Sequence, residues 1–372
     1  MSGQRLAIGL MSGTSMDGVD VAAIETDGRS VSQFGPTLFR PYSDGERAAI
    51  RVAVDEAPAI AHRADRPAEL VLAERVVTAA HIDAVTTFLA ANGLTAQDVA
   101  VIGFHGQTVF HAPARGLTVQ LGDGLALARA VGVPVVYDFR AADVAAGGEG
   151  APLVPIYHAG LVARSGLDRP VAVLNLGGVA NLTFVGRPPG GEDDLLAFDC
   201  GPGNALLDDW CRTRTGRPVD ADGRLAAAGT VDERLLADLL AHPFFARPAP
   251  KSLDRNAFSA AAVERLSTED GAATLTAFTA AAVAAGLALL PEPPRSLVVA
   301  GGGAHNPTML AMIAARTGTP LVAADEIGWS TDFLEAQAFA HLAVRHLEGL
   351  PLSFPGTTGV RRPTCGGVLA RA

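Results

Sequence analysis

Apolar residues fall along this chain in short runs separated by polar, glycine-bearing turns and by longer stretches of helical period. The runs RLAIGL (5–10), VDVAAIE (19–25), VAVIGF (99–104), VPVVYDF (133–139), VAVLNLG (171–177), VANLTFV (179–185), LLAF (195–198) and SLVVAG (296–301) predict strands. Between them, 67–92, 122–131, 204–215, 223–241, 259–290, 306–317 and 331–348 repeat their apolar positions with helical spacing. Such alternation predicts an α/β protein whose sheets are covered by helices. Residues 7–25 and 172–185 are each strand, polar turn, strand. That echo predicts a duplicated domain.

The turn MSGTSMDGVD (11–20) joins two apolar runs and carries two carboxylates and no basic residue. As a hairpin it needs backbone freedom, which Gly13 and Gly18 are expected to supply. As a phosphate site it would offer the Thr14 and Ser15 hydroxyls, the amides of Gly13 and Gly18, and Asp17 or Asp20 to hold Mg²⁺ through water. A second turn, VVAGGGAHNPTML (298–310), runs from strand to helix through three glycines. It is either a tight connection or a place where phosphate or a flat ring meets the backbone. No GxxxxGK[ST] occurs and Lys251 is the only lysine, so a P-loop lysine is excluded.

The length of 372 residues predicts two lobes, and 49% hydrophobic with 18% charged residues excludes a disordered chain. Net charge is -10 without basic clusters, which argues against nucleic acid as a partner. Cys200, Cys211 and Cys365 form no metal-ligand spacing and no CxxC, as expected in a reducing compartment. The apolar stretch 274–290 is short and Ala-rich, so it is read as a buried helix and not a membrane span. With no secretion signal visible at the N-terminus, a cytoplasmic location is expected.

Six separated segments in order give the pattern its specificity: GLMSGTSMDGVDVA, FHGQTVFH (104–111), DFRAADVAAGGEGAPLVP (138–155), NLGGVANLT (175–183), FDCGPGN (198–204) and AGGGAHNP (300–307). Together they resemble the anhydro-N-acetylmuramic acid kinase family, within the superfamily of sugar kinases, heat-shock ATPases and actin. The likeness runs from residue 7 to TTGVRRPTCGG at 357–367. It implies a two-lobed, duplicated ribonuclease H-like (actin-like ATPase) fold with its active site in the interlobe cleft. The expected lobes are 1–132 with 349–372, and 133–348. It also implies ATP and Mg²⁺ as cofactors, a homodimer, and a cell-wall recycling activity. That activity turns 1,6-anhydro-N-acetylmuramic acid, ATP and water into N-acetylmuramic acid 6-phosphate and ADP. Levoglucosan as the sugar, an actin- or heat-shock-like ATPase, and a plain anhydro-sugar hydrolase are the alternatives.

Opening an anhydro bridge needs water at the anomeric carbon and a carboxylate to take its proton. Asp199 is the candidate base, placed after a predicted strand and before a helix, with a helix-capping carboxylate as the alternative. The resemblance implies ATP contacts along the first turn from Gly13 through Thr14, Ser15, Met16, Asp17, Gly18 and Val19 to Asp20, with Asp17 the tentative metal carboxylate. Gly177, Gly178 and Asn181 would form a second phosphate turn, and Gly301, Gly302, Gly303 and Asn306 would border adenosine. His105, Gln107 and Thr108 are assigned to the sugar, or else to loop hydrogen bonds; His105 and His111 are poorly spaced for metal. Asp138, Arg140 and Asp143 either grip sugar or lactyl carboxylate or form a structural ion pair. Glu335 is read as an exposed helical carboxylate, with a place near the nucleotide as the alternative. In PKSLDRN (250–256), Leu253, Asp254 and Asn256 depart from the family motif, and Cys200 stands where the family is expected to carry Thr.

Overall fold

The computed structural model describes residues 3–13, 15–187, 194–253 and 257–371, so Thr14, Asp254 and Asn256 lie outside the described residues. The chain divides into two compact units, Met1–Arg164 with Glu335–Ala372, and Ser165–Leu334.

In the first unit, β1 (Arg5–Ser12), β2 (Gly18–Thr26) and β3 (Val31–Pro41) form an antiparallel meander. On the other side of β1 lie β4 (Val101–Ala112), with its antiparallel partner β5 (Leu117–Leu121), and then β6 (Val135–Tyr137). β4 runs parallel to both β1 and β6, and the strand Val368–Ala370 closes that edge. Ala7, Ile8 and Leu10 are all fully buried, as expected of a central strand covered on both faces. Ile8, Leu10, Ile102 and Phe104 share one apolar cluster with Val77, Ala84 and Phe88 of the helix Ala68–Ala91. Gly9 and Gly103 alternate with these residues and meet the helix Leu334–Leu347 on the opposite face.

These contacts move the boundaries expected from sequence. Pairing of β6 with β4 keeps residues beyond 132 in the first unit, and the helix packed on Gly9 and Gly103 keeps 335–348 there. The divisions therefore fall at Arg164/Ser165 and Leu334/Glu335, not at 132/133 and 348/349.

The second unit repeats the plan. β7 (Val171–Leu176), β8 (Val179–Val185) and β9 (Leu195–Pro202) form the meander, while β10 (Ser296–Ala300) and β11 (Leu321–Ala323) lie parallel beyond β7. A meander of three strands followed by parallel strands on the far side of its first member is the ribonuclease H-like topology, present twice. The two echoing segments are β1–β2 and β7–β8.

The helix Thr268–Leu287 is long and apolar enough to cross a membrane, yet 78% of its most apolar window is buried inside the unit. Ser267 caps it, accepting from the Asp270 amide at 3.0 Å, an arrangement that contributes about 1 kcal/mol. Its Ala and Gly content follows from close approach to β9. A Cβ on Gly286 would sit 2.6 Å from Cys200 Cβ, and one on Gly201 would sit 2.4 Å from Ala282 Cβ. Helical period misled at two places. The stretch 223–241 is two helices, Arg224–Ala228 and Glu233–Leu240, because Gly229 presses against the Glu269 carbonyl at the break. The stretch 259–290 breaks before Ser267, where the capped helix begins.

Candidate functional site

Two polar centres emerge in the first unit, and both lean on β4. The register of β1 with β4 runs Leu10↔Phe104 and then Ser12↔Gln107, so β4 carries one extra residue there. Gly106 makes the bulge possible: its φ is +72, and a Cβ would lie 2.4 Å from the Leu121 carbonyl oxygen.

On one side of the bulge, His105 is buried and packed at a tilt against Phe339, with ring centroids 4.6 Å apart. Its Nε2 faces two N–H groups of Arg140, at 3.1 Å from Nε and 3.0 Å from Nη2. Nε2 must therefore accept, which leaves the proton on Nδ1 to be donated to the Gly106 carbonyl at 2.7 Å. Burial and the neighbouring guanidinium hold the His105 pKa well below its ordinary value, so the ring is neutral. Arg140 also donates through Nη1 to the Gly150 carbonyl at 2.8 Å. Burial lowers the Arg140 pKa, against the charges of Glu335 and Asp143. Burial also raises the Glu335 carboxyl, against Arg140, so Glu335 is a half-buried companion of this guanidinium and not an exposed helical residue.

Asp143 is structural. Its carboxylate accepts from the Gly150 amide at 2.6 Å and from Thr358 Oγ1 at 2.6 Å, closing the loop that carries the Gly150 carbonyl. Asp138 follows β6 at φ +55, a conformation Asp tolerates better than most residues, and pairs with Arg63 at 2.5 Å. His111 bonds Thr118 Oγ1 through Nδ1 at 2.9 Å, and burial lowers its pKa to about 4. Thr108 Oγ1 accepts from Gln120 at 3.3 Å.

On the other side of the bulge stands the first hairpin turn. Among the described residues of the turn, the one of positive φ is Met16 at +53, not Gly13 or Gly18. Gly18 is needed for space, since a Cβ would lie 2.4 Å from the Arg40 carbonyl oxygen, whereas Gly13 has room for one. The turn closes through the Met16 amide to the Gly13 carbonyl at 3.1 Å, and the Tyr42 amide donates to the Asp17 carbonyl at 2.8 Å. Ser15 donates to the exposed Asp17 carboxylate at 2.8 Å. Val19 is buried in β2, and Asp20 pairs in register with Met11. Gln107 is buried with both polar ends used: Ser12 Oγ donates to Oε1 at 2.5 Å, and Nε2 donates to the Gly13 carbonyl at 3.1 Å. His105 and Gln107, expected at the sugar, both bond to neighbouring protein groups: His105 to Arg140 and the Gly106 carbonyl, and Gln107 to Ser12 and the Gly13 carbonyl.

In the second unit, Asp199 lies inside β9 opposite Asn181, four residues into a strand that extends to Pro202 and not to 198 as predicted. Its amide donates to the Lys251 carbonyl at 2.9 Å, and its Oδ2 accepts from the Leu253 amide at 2.8 Å. The helix-capping alternative does not hold: the helix Ala205–Thr215 begins after Asn204, and the Asp199 carboxylate is turned to the 251–253 segment. Burial lifts the carboxyl to about 6, against the pull of the Leu253 N–H. A carboxylate poised there can exchange protons near neutral pH. Lys251 is no phosphate ligand. It is 5% exposed, donates to the Phe244 carbonyl at 3.1 Å and sits 4.4 Å from that ring's centroid. Cys200 is buried, its thiol pushed up by burial and donated to the Ala180 carbonyl at 3.2 Å.

The second hairpin turn and the triple glycine come together around Asn204, which sequence reasoning quoted in a motif but did not single out. Its amide donates to the Gly177 carbonyl at 2.8 Å and its Nδ2 to the Leu176 carbonyl at 3.0 Å. The Gly203 amide donates to the carbonyl of exposed Gly178 at 3.0 Å. Gly301, at φ +81, leaves no room for a Cβ beside Asn175 Oδ1, and one on Gly303 would lie 2.7 Å from Asn204 Oδ1. Gly302 is exposed. Asn306 is the N-cap of the helix Pro307–Thr317, its Oδ1 accepting from the Met309 amide at 2.9 Å. Among the described residues no three His, Cys, Asp or Glu side chains cluster to hold a metal ion.

The sequence matches the profile of a family described as anhydro-N-acetylmuramic acid kinase over residues 5–372. Proteins of that description from Methylobacterium nodulans and Nitrobacter winogradskyi are 59% and 56% identical to this chain, each match covering 98% of this chain and 99% of the relative. Among solved structures, component A of (R)-2-hydroxyglutaryl-CoA dehydratase from Acidaminococcus fermentans aligns over 91% of this chain and 98% of its own, with 11% identity and a TM-score of 0.47.

Proposed function

This chain belongs to the anhydro-N-acetylmuramic acid kinase family and is an ATP-consuming sugar kinase; from that premise we propose that it opens the 1,6-anhydro bridge with water while it phosphorylates O6. Asp199 takes a proton from water as the water oxygen bonds to C1. The C1–O6 bond breaks, O6 attacks the γ-phosphorus, and the bond from that phosphorus to the β,γ-bridging oxygen breaks. N-acetylmuramic acid 6-phosphate and ADP result, with one proton released to solvent. The observation that carries this reading is Asp199 itself, a half-buried carboxylate anchored through one oxygen and lifted to about 6.

Arg140 is the group for the sugar's lactyl carboxylate. His105 and Gly150 fix its guanidinium while leaving N–H donors over for a bidentate contact. Asp138 and Thr108 are candidates for the sugar's polar groups. The turns at 13–20 and 177–178 take the phosphates through backbone amides and hydroxyls, and Gly301–Gly303 border adenosine. Magnesium fits this donor set, because it prefers one or two carboxylates with phosphates and water. Asp17, exposed beside the Ser15 hydroxyl, is the carboxylate to hold it through water, and the ion would neutralise phosphate charge. We also propose, on the family likeness, a cytoplasmic homodimer serving cell-wall sugar recycling.

The test is ADP release from Mg²⁺-ATP with 1,6-anhydro-N-acetylmuramic acid in ¹⁸O-labelled water. Labelled muramic acid 6-phosphate formed with one ADP supports the scheme, and release of ADP that ignores the sugar overturns it. Asp199→Asn, if folded and still turning over, removes Asp199 from the role of base.

A further inference from the structure

The buried chain of hydrogen bonds behind the first turn has a direction. Gln107 Oε1 can only accept, so Ser12 Oγ, 2.5 Å away, donates to it. A hydroxyl has one proton, so the Tyr42 hydroxyl at 2.9 Å must donate to Ser12 Oγ. Gln107 Nε2 then passes to the Gly13 carbonyl at 3.1 Å, which also accepts from the Met16 amide at 3.1 Å. Tyr42 is tied to the same turn by its own amide, which donates to the Asp17 carbonyl. Ser12 and Gln107 are 1% and 0% exposed, so these bonds are not shared with solvent.

Resting on the nucleotide reading of this turn, we propose that Gln107 is a positioning residue for the ATP phosphates, not a sugar contact. The Gly106 bulge lets one strand brace two sites: His105 fixes Arg140, and Gln107, two residues on, fixes the carbonyl at the start of the turn. A hydroxyl–amide–carbonyl chain of this kind holds a lysine-free turn in one conformation before the anion arrives, which reduces the ordering cost of binding.

The discriminating variant is Gln107→Glu, which keeps the acceptor for Ser12 but puts an oxygen where Nε2 had donated to Gly13. Leaving the half-buried Gly13 carbonyl facing an acceptor should weaken ATP binding about tenfold or more. ATP affinity is measured by titration without sugar, and KM for the anhydro sugar at saturating ATP. The expected result is a loss confined to ATP, with sugar KM within about twofold of wild type. A rise in sugar KM with ATP affinity unchanged, or no change in either, overturns the proposal. Should Gln107→Glu fail to fold, Ser12→Ala breaks the same chain one link earlier and must give the same ATP-only loss. Sugar-dependent ADP release by the wild type tests the kinase reading separately.

Discussion

Gly9 of β1 and Gly103 of β4 are register partners, and both are pressed against the backbone of one helix. A Cβ on Gly9 would lie 1.7 Å from the Ala336 carbonyl oxygen, and one on Gly103 would lie 2.0 Å from that of Phe339. Helix and sheet meet here without side chains between them, in the strand pair that leads to both polar centres of the first unit.

Gly9→Ala and Gly103→Ala should therefore each cost about 3 kcal/mol or more, since the obstructing atoms are backbone and cannot rotate away. Thermal unfolding reads this directly. Gly45, inside the helix Asp44–Glu56 with nothing within 4 Å of where a Cβ would stand, is the control. Gly45→Ala should stabilise by about 0.5–1 kcal/mol.

Asp199 gives a pH signature in both activity and stability. The folded carboxyl sits at about 6, above its unfolded value near 3.8, so the native state holds the proton more tightly. Stability attributable to this group falls as pH rises from about 4 to 6 and is level above that. Asp199→Asn should thus gain stability relative to wild type across this window, by up to about 3 kcal/mol, and keep the gain at pH 8. Wild-type kcat/KM should drop below pH 6 as the base is protonated. Equal denaturant midpoints for the two proteins at pH 8 would contradict the burial of a charged carboxylate.

Asn204→Ala removes a donor to the Leu176 carbonyl and a neighbour of Gly303 at once. ATP affinity should fall about tenfold with about 1–2 kcal/mol lost from the second unit. The sugar KM should stay near wild type. A calorimetric titration with ATP, alongside thermal unfolding, separates the two effects.

His81 is fully buried, bonds the Val77 carbonyl through Nδ1 at 2.7 Å, and leaves Nε2 without a hydrogen-bond partner among the described residues. Burial lowers its pKa to about 4, from 6.5. The unfolded chain takes up this proton first, so stability is lost as pH falls from about 6.5 to 4. His81→Leu should flatten that part of the acid-unfolding curve, measured by far-UV circular dichroism between pH 7 and 4.

The two hairpins, the triple-glycine turn and most covering helices were legible because they depend on local period and on glycine. β3 was not, since its Phe34 and Phe39 are exposed and its alternation is poor. Site roles were harder. Gln107 and Asp143 have the residue types of ligand contacts, yet each bonds a partner that folding brings near: the Gly13 carbonyl and Thr358. Met16 at positive φ could not be read beside two glycines better suited to it. Which polar side chain is left over for a substrate depends on which others are already satisfied, and that is settled by tertiary structure.

The burial of Lys251 leaves the surface with an unusual chemical character. Every cationic side chain offered to solvent is a guanidinium or an imidazole, because the only side-chain amine is tucked against Phe244. Within these 372 residues, acylating or methylating enzymes find no exposed lysine to modify, and amine-directed reagents find no accessible side-chain amine.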